Sequence, residues 1–96
     1  MRKDKEKVLD EVWTDERVRA FLEVRPQDDT NPDAYVLALA YRNMRIENFT
    51  QFVGYFCEQN RDVNARDKRG QTLLDILKTH RHGAAYAEVL RAAGAV

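Results

Sequence analysis

The stretch Asp62-Val63-Asn64-Ala65-Arg66-Asp67-Lys68-Arg69-Gly70-Gln71-Thr72-Leu73-Leu74-Asp75 divides the chain into two kinds of pattern. From Arg61 to Gly70 charges and turn formers follow one another with no apolar period, which predicts an extended loop with tight turns. A helix resumes near Thr72 with Leu73, Leu74, Ile76 and Leu77 and is expected to stop by His82-Gly83. The last helix, Ala84 to about Ala93, presents Tyr86, Val89 and Leu90, and Gly94 ends it as a left-handed residue.

Working back towards the N-terminus, the period stays helical and no stretch alternates for long enough to require a buried strand. Phe49, Phe52, Val53, Phe56 and Cys57 form an amphipathic stripe, with Asn48 and Gln51 spaced as a capping box at its start. Cys57 is expected to be a buried, inert thiol. Asn31-Pro32 reads as cap and first residue of a helix running to about Met44. Gln27 to Asn31 is a polar connector, and before it Thr14, Asp15 and Glu16 open a helix that buries Val18, Phe21 and Leu22 and ends by Arg25, ahead of Pro26. A first helix is expected from Asp4 to Trp13, although its charges would suit a free arm equally well.

Ninety-six residues suit one small domain, and Cys57, the only cysteine, leaves stability to packing. With 16 basic and 16 acidic side chains the net charge is zero, which removes the simplest case for a nucleic acid or an anionic surface as partner. The charge is uneven, at −2, −1 and +3 over residues 1–30, 31–60 and 61–96, so the C-terminal third favours an acidic partner. No apolar run approaches a membrane span, and the charged start lacks the apolar core of a signal peptide, so a cytoplasmic location is expected.

The segment 62–75 resembles the ankyrin-repeat junction, in which a loop D-V-N-A-x-D-x-x-G-x-T leads into T-P-L-H or T-P-L-D. Gly70 matches the turn glycine and Thr72 the residue that opens the inner helix, while Leu73 stands where the family usually has proline. Leu90-Arg91-Ala92-Ala93-Gly94-Ala95 is similar to the family's L-L-x-x-x-G-A ending, and Arg81-His82-Gly83 places the interhelical glycine after the histidine instead of before it. Val36-Leu37-Ala38-Leu39-Ala40-Tyr41 resembles P-L-H-L-A-A in a fainter first repeat. There the linker Arg42 to Glu47 is about three residues too long, and Asn60 replaces a left-handed glycine.

The resemblance implies an all-α array of antiparallel helix pairs with one hairpin-like loop: a divergent repeat at 32–61, a second at 62–96, and residues 1–31 as an N-terminal helical cap. It implies a non-catalytic protein-binding module without cofactor or metal, whose partner-facing residues are Arg66, Lys68, Arg69 and Gln71 on the loop and Thr79 and His80 at the end of the inner helix. The competing reading of that loop is a merely solvated one, since Asp62 and Asp67 offset its bases. The family's role for His82 would be to hydrogen-bond the interhelical turn.

Two other classes of function remain. A structural subunit would stack on itself, as a monomer in weak equilibrium with an oligomer, through a C-terminal helix pair expected to lack a polar cap. A helix-turn-helix reading of the last two helices gives a recognition helix with Arg91 as its only base, too little to grip phosphates. His80 and His82, two apart, do not share a helix face as paired metal ligands do, and no nucleophile motif or phosphate loop is present. Trp13, Tyr41, Tyr55 and Tyr86 are expected to be partly buried, with the tyrosine hydroxyls reaching water.

Overall fold

Helices start where a nearby side chain takes up backbone N–H groups that a first turn leaves unpaired. The computed structural model describes residues 13–96, and all regular structure among them is helical. Thr14 accepts from the Arg17 N–H at 3.1 Å and opens α1 (Asp15–Ala20). Asn31 accepts from the N–H groups of Asp33 at 2.8 Å and Ala34 at 3.3 Å, with Pro32 as first residue of α2 (Pro32–Asn43). Thr72 and Asp75 form a reciprocal capping box, each accepting at 3.1 Å, at the head of α4 (Leu73–Leu77). The helix expected over residues 4–13 lies outside the described residues apart from Trp13, whose ring packs at 5.3 Å from that of Phe21.

One helix start departs from the sequence reading. The helix from Thr14 ends before Arg25, as expected: it tightens into a 3-10 turn over Phe21–Glu23, and Val24 is already extended. An α-helix would have Leu22 C=O accept from residue 26, but Pro26 has no N–H, and the Arg61 guanidinium takes that carbonyl instead. Asn48 is not a cap, because α3 (Ile46–Glu58) begins two residues earlier, and the residue at its cap, Arg45, makes no side-chain capping bond. The long linker expected over Arg42 to Glu47 shrinks to Met44-Arg45, since both helices extend into it. Finally, α4 ends at Leu77, where Thr79 and His80 turn back on Ile76 C=O and Leu77 C=O. Gly83 then admits the start of α5 (Ala84–Ala92): a Cβ there would lie 3.0 Å from Leu77 Cδ2, so the position demands close approach and not left-handedness.

The helices pack in two layers. In one, α2 lies between the 3-10 turn and α4; in the other, α3 lies between α1 and α5. One continuous apolar core runs through both, from Val18 and Leu22 past Leu37, Phe49, Phe52 and Phe56 to Leu74, Leu77 and Leu90. Cys57 is exposed, contrary to expectation. At 100° per residue it sits about 90° from the centre of the Phe49–Phe56 stripe, beyond the buried arc.

The same backbone corner ends α3 and α5. Asn60 (φ 58°) and Gly94 (φ 105°), 34 positions apart, are both left-handed. The following residues, Arg61 and Ala95, donate their N–H groups to Phe56 C=O at 3.3 Å and to Leu90 C=O at 2.9 Å. This is a Schellman turn made twice, with asparagine serving once where glycine is usual.

The first corner delivers Arg61 into a junction of three segments. Its Nε donates to Asp33 Oδ1 at 2.7 Å, its Nη1 to Leu22 C=O at 2.8 Å, and its guanidinium lies 5.2 Å from the Phe56 ring centre. The second Asp33 oxygen accepts from the Asp62 N–H at 2.9 Å. Only 14% of the Arg61 side chain is exposed, so its loss leaves the partly buried Asp33 carboxylate without its cation, with the Asp62 N–H as remaining donor, and leaves Leu22 C=O only the longer 3.3 Å bond from Arg25 Nη1. We expect Arg61→Ala to cost about 2–3 kcal/mol. Urea denaturation should show a lower midpoint at unchanged slope, and a cost below about 0.5 kcal/mol would place the junction among inert surface pairs.

Candidate functional site

The loop Asp62–Gln71 is fixed from its base outward. Val63 and Ala65 are buried and anchor it to the core, and Asp62 Oδ1 accepts from the Asn64 N–H at 2.9 Å. The Asn64 side chain is turned to the chain's end, accepting from the Val96 N–H at 3.0 Å and donating to Gly94 C=O at 3.3 Å. Further out, Asp67 N–H donates to Gln71 C=O and Gly70 N–H to Asp67 C=O, both at 2.9 Å. These bonds close a tight turn, with Gly70 at φ 80°, and no strand forms among the described residues. The expected hairpin is thus reduced to its tip. Asp67 Oδ1 also accepts from the N–H groups of Arg69 at 2.8 Å and Gln71 at 3.0 Å, which is how a short carboxylate stiffens a turn.

Internal bonds occupy two of the loop's cations. Arg66 Nη1 donates to Gly70 C=O at 2.8 Å. Lys68 Nζ reaches across to the connector, 3.2 Å from Asp28 Oδ2 and 3.0 Å from Asp29 Oδ1. The hydrogen bond to Asp29, then that to Asp28, raises the Lys68 pKa. Asp28 is held down at about 2 by the Thr30 hydroxyl, next by the Thr30 N–H, and then by Lys68. Arg69 and Gln71 are the loop residues whose exposed side chains have no partner among the described residues.

Thr79 and His80 belong to a different place. Thr79 donates its hydroxyl to Ile76 C=O at 2.9 Å. His80 Nδ1 is 3.0 Å from the Tyr41 hydroxyl, near the C-terminal end of α2. Lys68, by contrast, meets Asp28 and Asp29 ahead of the N-terminal end of the same helix. The rise of α2 from Pro32 to Tyr41 is about 13 Å, so loop and turn do not form one continuous site. His82, assigned by resemblance to bonding the turn, is exposed and has no hydrogen bond among the described residues; His80 bonds across it to Tyr41 instead.

The aromatic residues are half-buried as expected, but the tyrosine hydroxyls bond to protein. Tyr86 donates to Met44 C=O at 2.7 Å and Tyr55 donates to Asp15. Burial raises the Tyr86 pKa. The exposed groove between α4 and α5 is charged, lined by Lys78, Glu88 and Arg91, and among the described residues Val96 is the only exposed large hydrophobic. Leu77, Ala84 and Ala87 line the same groove, and a second shallow surface between α3 and α5 is largely apolar, at Val53, Gly54, Cys57, Val89 and Ala92. Among the described residues no three His, Cys, Asp or Glu side chains gather as a metal site, and no helix is long and apolar enough to cross a membrane. Comparison with protein-family models, curated proteins and solved structures finds no match to this chain.

The Asp28 pKa gives the loop contact a pH signature. A carboxyl whose folded pKa lies near 2, against an ordinary 3.8, contributes stability that is complete above 3.8 and lost as the pH falls through about 2. Carboxyl-carbon NMR should place the Asp28 midpoint near 2 and move it upward in Thr30→Ala. A midpoint of 3.8 in the unaltered chain would mean that neither Thr30 nor Lys68 holds it.

Proposed function

We propose that this chain is a small, non-catalytic, ankyrin-like interaction module that binds a protein partner through its 66–71 loop. The observation that carries the reading is the loop's rigidity. Asp67 and Arg66 tie the turn from within and Lys68 ties it to the connector, so the backbone that presents Arg69 and Gln71 is held by several bonds. A presenter already ordered before contact loses little conformational entropy on binding. The repeated corner at Asn60 and Gly94, and the packing of α2 on α4 and α3 on α5, support an array of stacked helix pairs.

This reading narrows the partner surface. Thr79 and His80 lie beside the other end of α2, and Lys68 already has two carboxylates, so the acidic patch of a partner would meet Arg69 first. Arg69→Glu combined with Gln71→Ala should weaken capture of the partner at least about tenfold, a loss of one charge-assisted hydrogen bond and its specificity. The melting temperature should stay unchanged, since neither side chain is a structural contact. Undiminished capture by the double variant would overturn the loop assignment.

A further inference from the structure

A second surface surrounds the turn between α4 and α5. Two shallow recesses flank it, one of about 320 Å³ bounded by Tyr41, Arg42, His82 and Tyr86, the other of about 310 Å³ with Lys78, His80, Glu88 and Arg91 on its walls. Tyr41 on the wall of the first and His80 on the wall of the second are hydrogen-bonded at 3.0 Å. The Tyr41 ring stands 5.0 Å from Tyr86 on one side and 5.7 Å from His80 on the other, centre to centre.

Arg42, Arg81 and Arg91 are exposed and, like Arg69 on the loop, form no ion pair among the described residues. An unpaired guanidinium beside an aromatic wall presents a planar fork of donors suited to a carboxylate. Each recess has at least one such group.

We propose that this turn is a docking surface for an extended acidic segment of a protein, with carboxylates two residues apart entering the two recesses. Side chains at i and i+2 of an extended strand project from the same face roughly 7 Å apart. The two recesses meet at the Tyr41–His80 pair, whose ring centres are 5.7 Å apart. A peptide also places its charges discretely, so it avoids Glu88 in the second recess. Duplex nucleic acid carries a charge about every 1.7 Å and would press phosphates against Glu88. This surface uses none of the loop residues, so it stands or falls separately from the loop assignment.

The test is titration of the isotope-labelled full chain with a capped peptide alternating glutamate and serine, followed by amide NMR. The comparison probes are a peptide of equal charge with glutamate at every fourth position and a short oligodeoxythymidylate. The expected result is saturable shifts gathered on Arg42, His80, Arg81, His82 and Arg91, with weaker binding of the sparser peptide. Arg42→Glu combined with Arg91→Glu should reduce affinity at least about tenfold, and Arg81→Glu should reduce it too. Arg69→Glu should leave it within about twofold, because long-range screening at physiological salt limits its influence. Shifts centred on residues 66–71, shifts spread over the whole surface, or tighter binding of the oligonucleotide at these residues would each overturn the proposal.

Discussion

Arg61 ties together with polar bonds three segments that the apolar core also packs against one another. It follows a left-handed corner at the end of α3, and from there its guanidinium reaches the carboxylate at the start of α2 and the carbonyl of Leu22, four residues before Pro26. Each contact answers a deficit made by the local sequence. Pro26 leaves Leu22 C=O without its helical donor, and Asp33, in the first turn of α2, would be a partly desolvated anion on its own. The loop begins at this junction, because Asp33 also holds the Asp62 N–H.

From that junction the surfaces follow. Val63 and Ala65 seat the base of the loop, Asp67 stiffens its tip, and Lys68 returns to the acidic connector that precedes α2. The connector, the head of α2 and the loop therefore form one polar assembly at the N-terminal end of α2. At its C-terminal end the Tyr41 ring packs between Tyr86 and His80. Two candidate contact surfaces thus lie at opposite ends of α2, one built on a tied-down turn and the other on guanidinium groups with no ion-pair partner among the described residues.

What the sequence makes legible is what interactions within a turn or two decide. The caps at Thr14, Asn31 and Thr72, the Phe49–Phe56 stripe and the left-handed residues Asn60 and Gly94 all depend on neighbours within about five positions. Asn48 misled because a capping-box spacing occurs inside helices as well as at their starts; what sets the start of α3 is the two-residue link from α2. Cys57 misled because spacing assigns it to the stripe, whereas angular position puts it at the rim. The Arg61–Asp33, Lys68–Asp28 and Tyr41–His80 contacts join residues far apart in the chain, and charge or composition along the sequence carries no signal of such pairings. Of the residues chosen as partner-facing, Arg69 and Gln71 are free on the loop, Arg66 and Lys68 are engaged in holding it, and Thr79 and His80 stand elsewhere.

If Arg61 binds the segment 14–23 to the helix pairs, that segment should open only when the whole molecule does. Native-state hydrogen exchange tests this directly by comparing the Val18 amide, bonded to Thr14 C=O at 3.0 Å, with the Phe49 amide, bonded to Arg45 C=O at 2.9 Å. Each is the first i to i−4 bond of its helix, so local fraying treats them alike. The account predicts that with rising denaturant both amides converge on one opening free energy, that of global unfolding. Val18 exchanging through its own, lower-energy opening while Phe49 remains protected would contradict it.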